Sequence, residues 1–499
     1  MKIRTGWFTL ATLVLGSTGT LRAQVENPIP DPVVTRDLAV EIREIARLPD
    51  TSELDPSFGT SPVGWAKVSY VRDLPDGRRF ANDSRGFLYS LDSENEPSLY
   101  LEFRDVFAHM TYQSLQSGVI GFGFHPEFAD NGLFYTVHVE TAEGNPEVPD
   151  FIPPNFTIDD VTYHNVITEW RSNDPSSDTF DGTRRELLRA AHVVDNPFHA
   201  LGHVAFNPTS EPGDPDYGLM YIGSTDLGFS NGGGPNAANP TQTQRLDTIL
   251  TAILRIDPRS PSESGGIKGI GDYTIPAINQ YAADGDPNTW GEIYASGFRN
   301  PHRLSWDMSD GTMFAMDIGM SHIEEVNIVH EGGNYGWMRR EGYFDNGVNI
   351  SGNLDVVFTL PPEILDGSQV DRFTYPVAVY DHDEGVAITN GYAYRGVISA
   401  LRGKFVYGDL QRGRLFASDI EALKAADDGI PDTVAPIEEI QLFVRDADGE
   451  RRDVTLWELI EERLGRSVTR ADMHLSRTSD GEILVTTRQD GTIRMLMAD

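Results

Sequence analysis

The sequence predicts an all-β fold, a six-bladed β-propeller, and three observations carry that prediction. Short apolar, β-branched or aromatic runs recur between Asp-Gly, Asn-Gly and Gly-rich turns. Helical periodicity is confined to brief stretches at 420–425 and 456–464. The 499 residues exceed the usual span of one hydrophobic core, yet no Pro/Ser-rich linker or composition break divides them. A repeat architecture reconciles that length with that continuity. Periodicity alone leaves a large β-sandwich open as an alternative.

Six runs are read as inner or middle strands, one per blade: 86–91 (GFLYSL), 133–137 (LFYTV), 219–223 (LMYIG), 311–316 (GTMFAM), 403–408 (GKFVYG) and 481–485 (GEILV). Asp480-Gly481 and Asp490-Gly491 are two-residue hairpin signals, and the strands between and after them form a final hairpin. The spacing of the runs is uneven because 141–195, 258–292 and 343–374 read as long loops. Loops of that length are usually functional or disordered.

The N-terminus reads as a secretory leader over residues 1–23. Lys2 and Arg4 precede a short apolar run from Trp7 to Leu15, and Leu21-Arg22-Ala23 forms a small-residue cleavage site before Gln24. Ser17, Thr18 and Thr20 interrupt the run well short of the roughly 20 apolar residues a membrane span requires. No later segment reaches spanning length; Ile249 to Ile256, for example, is broken by Thr251 and Arg255. A periplasmic or secreted protein is therefore expected, with residues 24–63 as an N-terminal extension and 64–499 as the propeller.

The formal charge is −36, and the leader is basic, so the remainder is more negative still. Such a chain repels nucleic acid and anionic lipid, and neither is expected as a partner. With no cysteine, there is no disulfide framework, thiolate metal site or covalently attached c-type haem.

Four segments carry the chemistry. The first is 116–128, QSGVIGFGFHPEF, a Gly-rich strand and turn headed by Gln116. The second is 198–208, FHALGHVAFNP, followed by a strand ending at Asp226. A neutral imidazole such as His199 suits removal of a hydroxyl proton near neutral pH, and a carboxylate beside it would orient the ring. His203, four residues on, competes for that role. The third is 292–307, EIYASGFRNPHRLSWD, in which Arg299 offers a forked donor set and Asn300 both donates and accepts. The fourth, 316–337, holds Asp317-Ile318-Gly319-Met320, the acidic pair Glu324-Glu325, and GGNYGW with Tyr335. No HExxH, P-loop, Rossmann glycine fingerprint or Gly-x-Ser-x-Gly elbow appears with its required flanks, which removes support for nicotinamide, ATP and serine-hydrolase chemistry.

Together these segments resemble the soluble quinoprotein glucose and sorbosone dehydrogenases, most closely from Glu292 to Trp337, with likeness from about Gly64 to Leu496. The resemblance implies a calcium-dependent sugar dehydrogenase using pyrroloquinoline quinone (PQQ). Such an enzyme oxidises the anomeric hydroxyl of an aldose-type sugar to a lactone and passes electrons to a separate acceptor, a cytochrome or a quinone. It implies His199 as the base with Asp226 beside it, and Gln116, Arg299, Asn300, Gln411 and Arg470 as cofactor contacts. It further implies the backbone carbonyls of Gly319 and Met320 as ligands of the catalytic Ca2+, and Glu325 and the Tyr335 carbonyl as ligands of a structural one. The chain departs from the pattern at Gln411, where the family carries a lysine, and at Asn390-Gly391, where it carries two glycines. Phe198 also stands where some members have an acid. Gln411 and Phe198 motivate one alternative, a calcium-binding propeller that has lost PQQ and serves as a carbohydrate-binding or interaction module; a calcium propeller lactonase or hydrolase, which requires carboxylate and amide ligands around one metal, is another.

Overall fold

The computed structural model describes residues 13–15, 21–30, 32–54, 64–112, 116–229, 243–347, 356–360 and 373–498. The fold is all-β. The first antiparallel sheet contains Val68–Asp73, Arg79–Asp83, Phe87–Leu91 and Pro97–Glu102. The second contains Val119–Phe124, Leu133–Thr141, Tyr163–Ser172 and Gly182–His192; the third contains Val204–Phe206, Met220–Ser224, Ala252–Ile256 and Ile293–Ser296. The fourth consists of Arg303–Trp306, Met313–Asp317, Ile323–Ile328 and Ala378–Asp381. A fifth set of Tyr392–Ala393, Lys404–Gly408, Leu415–Asp419 and Ile437–Arg445 is followed by Met473–Arg477, Ile483–Thr487 and Thr492–Met497.

The C-terminal set takes its fourth strand from the other end of the chain. Val33–Arg47 pairs antiparallel with Thr492–Met497 and parallel with Ile437–Arg445, so the last two sets run together as one nine-stranded sheet. The stretch expected to be an extension thus covers what would otherwise be an open sheet edge.

Each of the six runs predicted from the sequence is a strand in a different set, at one of its two inner positions. The final hairpin forms with Leu484 opposite Met495. The two predicted helices are Ile420–Ala426, capped by Asp419 on the Ala422 N–H, and Leu456–Leu464, which opens with a Thr455/Glu458 capping box.

The segment 141–195 is not a loop: Tyr163–Ser172 and Gly182–His192 complete the second sheet. Buried polar residues disguise these strands, because the pairs His164-Asn165 and Thr168-Glu169 interrupt Tyr163, Val166, Ile167 and Trp170. Their polar groups are met across the sheet: Arg185 Nη2 donates to Glu169 Oε2 at 3.0 Å, and Arg189 Nη1 lies 2.8 Å from His164 Nδ1. The 258–292 stretch carries a one-turn helix, Pro261–Ser264, and a short hairpin, Ile267–Lys268 with Thr274–Ile275. Most of the leader expected over 1–23 lies outside the described residues. Its described parts, Leu13–Leu15 and Leu21–Val25, pair with each other, and the second pairs with Val357–Phe358.

The hydrophobic core lies between successive sheets. Phe80 and Leu88 of the first sheet meet Phe122 and Trp170 of the second, and Val137 and Leu188 of the second meet Ile222 and Leu254 of the third. Tyr221 and Ile253 meet Leu304 and Met313; Met316 and Tyr380 meet Phe405 and Phe416; Val406 and Leu415 meet Leu475 and Ile483. The series returns to its start where Leu484 and Ile493 pack on Val68 and Phe87.

Candidate functional site

The residues assigned to chemistry lie at one end of the sheets. Gln116, His199, Arg299 and Arg470 each precede the first strand of a sheet, whereas Asp226, Gly319 and Gln411 each follow a second strand. Because these strands run antiparallel, the start of one and the end of its neighbour fall at the same edge. A cavity of about 450 Å³ opens there. Gln116, His199, Arg299, Asn300, Gly319, Met320, Gln411 and Arg470, all expected site residues, line it.

His199 donates from Nδ1 to Asp226 Oδ1 at 2.6 Å, and the same oxygen accepts the Gly228 N–H at 2.8 Å. Asp226 lies behind the histidine, fully buried, and fixes the tautomer that leaves Nε2 as the acceptor. The backbone at His199 is left-handed, with φ of 51°, an uncommon state for a residue with a side chain. It is held by a hydrogen bond from the Thr225 hydroxyl to the His199 carbonyl. Burial, then the Arg299 charge, hold the imidazole below its ordinary pKa against the opposing pull of Asp226, so it is neutral at neutral pH. His203 faces elsewhere: its ring packs edge-on against Tyr70 at 4.8 Å, and burial pushes its pKa well down.

Arg299 and Asn300 are set by Asp317. The Asp317 carboxylate accepts the Arg299 N–H at 2.8 Å and the Asn300 N–H at 2.6 Å. Arg299 Nη1 donates to the carbonyls of Ile318 and Gly319 at 2.9 and 2.6 Å, and Nη2 reaches Met320 Sδ at 3.3 Å. Asn300 Nδ2 points to Gln116 Oε1 at 3.4 Å, while its own Oδ1 is buried without a hydrogen-bond partner.

The segment after Asp317 folds around Glu341. One oxygen, Glu341 Oε1, accepts the N–H groups of Met320, Ser321, His322 and Ile323 at 2.8–3.0 Å. The turn requires glycine at 319, where a Cβ would lie 1.9 Å from the Ile323 carbonyl oxygen. Glu324 is also buried beside the cavity, where its Oε1 meets His382 Nε2 at 2.9 Å. Burial works against the imidazolium, but the hydrogen bond and charge of Glu324 prevail and raise the His382 pKa.

Glu325 and Tyr335 lie away from the cavity. Glu325 Oε1 accepts from Arg340 Nη1 at 3.0 Å and from the Gly342 N–H at 2.7 Å, so a protein cation already meets its charge. Tyr335 stacks on Phe298 with centroids 4.2 Å apart and donates its hydroxyl to the Ile328 carbonyl at 2.7 Å. The sequence reading missed Asp317 and Glu341 as organising residues, although they lie within and just after a segment it singled out, and it missed His382 as part of the wall. Among the described residues, no group of three His, Asp or Glu side chains is placed to hold a metal ion.

The fold and site define an all-β protein with a cavity at one end of its sheets, where a His–Asp pair and arginines meet apolar walls. The chain belongs to the glucose/sorbosone dehydrogenase family, whose sequence model matches residues 67–466. It is 28% identical over 408 residues to the HIPL1 protein of Arabidopsis thaliana, covering 74% of this chain and 55% of that relative's length. It is 25% identical over 365 residues to quinoprotein glucose dehydrogenase B of Acinetobacter calcoaceticus, covering 63% of this chain and 68% of the relative. Among solved structures, the PQQ-bound aldose sugar dehydrogenase of Streptomyces coelicolor shares the fold. Its TM-score is 0.51 at 15% identity, over 91% of this chain and 97% of that one. Among the described residues, no helix is long and apolar enough to cross a membrane.

Proposed function

We propose that the protein is a PQQ- and calcium-dependent dehydrogenase that oxidises the anomeric hydroxyl of an aldose-type sugar to a lactone. The observation that carries this reading is the His199–Asp226 pair, placed in the same cavity as Arg299, Asn300, Gln411 and Arg470. The six sets of strands, packed in a series that closes on itself, are read as six propeller blades.

The residues fit the two absent groups. For a flat tricarboxylate quinone, the cavity offers Ile120, Ile318 and Leu410 as apolar walls, Arg299 and Arg470 as cations, and the orphaned Asn300 Oδ1 as a free acceptor. For a hard cation, the Ile318 and Gly319 carbonyls already converge on a positive charge, the Arg299 guanidinium. Gly319, with Met320 on the resemblance alone, is kept as a calcium ligand, where Ca2+ would have to displace Arg299; a structural Ca2+ at Glu325 and Tyr335 would likewise have to compete with Arg340. When bound, the quinone supplies a two-electron acceptor, and the metal polarises it.

The chain's own part is proton transfer and orientation. His199 Nε2 takes the proton from the sugar's anomeric hydroxyl. Asp226 holds Nδ1–H and stabilises the imidazolium that results. Electrons leave to a separate acceptor, a cytochrome or a quinone, and export by the leader places the mature chain in the periplasm or outside the cell.

A hydrolase would need carboxylate and amide ligands around one metal, but the available residues are committed separately. Asp226 holds His199, and Asp409 accepts the N–H groups of Val386 and Ala387 at 2.6 and 2.8 Å. Sugar-dependent dye reduction that requires both PQQ and Ca2+ supports the dehydrogenase; failure across an aldose panel, with no PQQ binding by absorbance titration, refutes it.

A further inference from the structure

We infer that the floor of the cavity is a binding well for a ligand carboxylate, built from Arg303, Arg488, His302 and His474. None of these four belongs to the cofactor and metal contacts assigned above, and the inference requires no oxidation chemistry.

All four line the cavity and are at most 5% exposed. The two guanidinium groups meet on a single hydroxyl, with Arg488 Nη2 at 2.7 Å and Arg303 Nη2 at 3.4 Å from Ser69 Oγ. Arg303 otherwise reaches only the Ser69 and Ile120 carbonyls, at 3.3 and 3.2 Å, and lies over the Tyr70 ring at 5.0 Å. Neither arginine forms an ion pair with a described residue. The carboxylates near Arg488 are already engaged: Asp472 accepts from Arg470 and from Gln489 Nε2, and Asp83 accepts from Thr51 and the Lys67 and Arg85 N–H groups.

Several polar atoms of these four side chains are left without partners. Arg303 Nε and Nη1, Arg488 Nε and both ring nitrogens of His302 and His474 are buried without hydrogen-bond partners. The two imidazole centroids are 6.0 Å apart. Space for the arginine is made by Gly121, where a Cβ would lie 3.3 Å from Arg303 Nη1.

Two like charges buried side by side without an anion are strongly unfavourable, and unmet buried donors add to that cost. In a chain of net charge −36, carboxylates are plentiful, yet the two beside Arg488, Asp472 on the cavity wall and Asp83, are engaged by other donors. A carboxylate from outside satisfies both demands, because a guanidinium fork matches its geometry and neutral imidazoles donate to it. Two sources share that chemistry: an acid group of a quinone tricarboxylate, or the acid group of an oxidised sugar such as a uronate.

The test is calorimetric titration of the full-length protein with PQQ and, separately, with sodium D-glucuronate, for the wild type, Arg488→Gln and Arg303→Met, alongside thermal melts of each without ligand. At least one of the two ligands is expected to bind, about tenfold or more weakly to Arg488→Gln. Without ligand, this variant should melt no lower than the wild type, because it removes one of two like charges buried side by side. Binding of PQQ alone assigns the well to the quinone, binding of glucuronate alone to an acidic sugar, and binding of both to their common carboxylate. Should Arg303→Met fail to fold, Arg488→Gln decides. The inference is overturned if neither ligand binds, if Arg488→Gln binds as tightly as the wild type, or if it melts several degrees lower. Because no turnover is measured, weaker binding to Arg488→Gln is read independently of sugar oxidation; absence of PQQ binding to the wild type counts against the dehydrogenase reading and leaves the well to be decided by glucuronate.

Discussion

At the scale of single residues, the account rests on a neutral imidazole held by a buried carboxylate. His199→Ala should reduce kcat by about a hundredfold or more, with PQQ affinity by absorbance titration unchanged. Asp226→Asn keeps the shape but loses the charge that steadies the imidazolium, and should cost at least about tenfold in kcat. The pH dependence follows from the lowered His199 pKa. Because the neutral ring is the base, kcat/KM should be flat through neutral pH and fall only below about 6.5, the unperturbed histidine value; an inflection above 7 in a pH–rate profile would contradict the assignment. Part of this site was legible before the structure. His199, Arg299 and Asn300 stand in distinctive motifs because their side chains face the cavity. Asp317 and Glu341 were not legible as organisers, because they act on backbone N–H groups, and in a sequence this acidic a buried carboxylate looks like any solvated one.

At the scale of elements, the segment from Gly319 to Ile323 is a turn wound on one carboxylate. Glu341→Ala strips an acceptor from four N–H groups, and each donor left buried and unsatisfied costs about 1–3 kcal/mol. The segment should rearrange, and Ca2+ titration should show affinity lowered by about tenfold or more; unaltered calcium binding would show that Glu341 does not govern the carbonyls. In the second sheet, Trp170 fills the junction with the first, stacked on Phe134 and fully buried, so Trp170→Ala should cost about 3–5 kcal/mol in denaturant unfolding. The strand that contains it was hidden in the sequence, since its buried His164, Asn165, Thr168 and Glu169 break the alternation that marks a half-apolar strand. The final hairpin was legible because Asp-Gly turns state the pairing locally.

At the scale of the molecule, the N- and C-terminal strands join through Val33–Arg47, which contacts two sets at once. Deleting residues 33–47 bares two edges and removes Leu38, Val40 and Ile42 from the core, so the cooperative thermal transition should be lost. Local sequence revealed the fold class but not this closure, because nothing in the strand itself names partners about 400 residues away. The cavity belongs to this scale as well, since its lining comes from the same end of successive sheets. The most direct test of the central claim is sugar-dependent reduction of an artificial electron acceptor by the purified protein reconstituted with PQQ and Ca2+, with His199→Ala in parallel. The account predicts turnover that needs both additions and collapses in the variant; no turnover on any aldose, or turnover indifferent to PQQ, would contradict it.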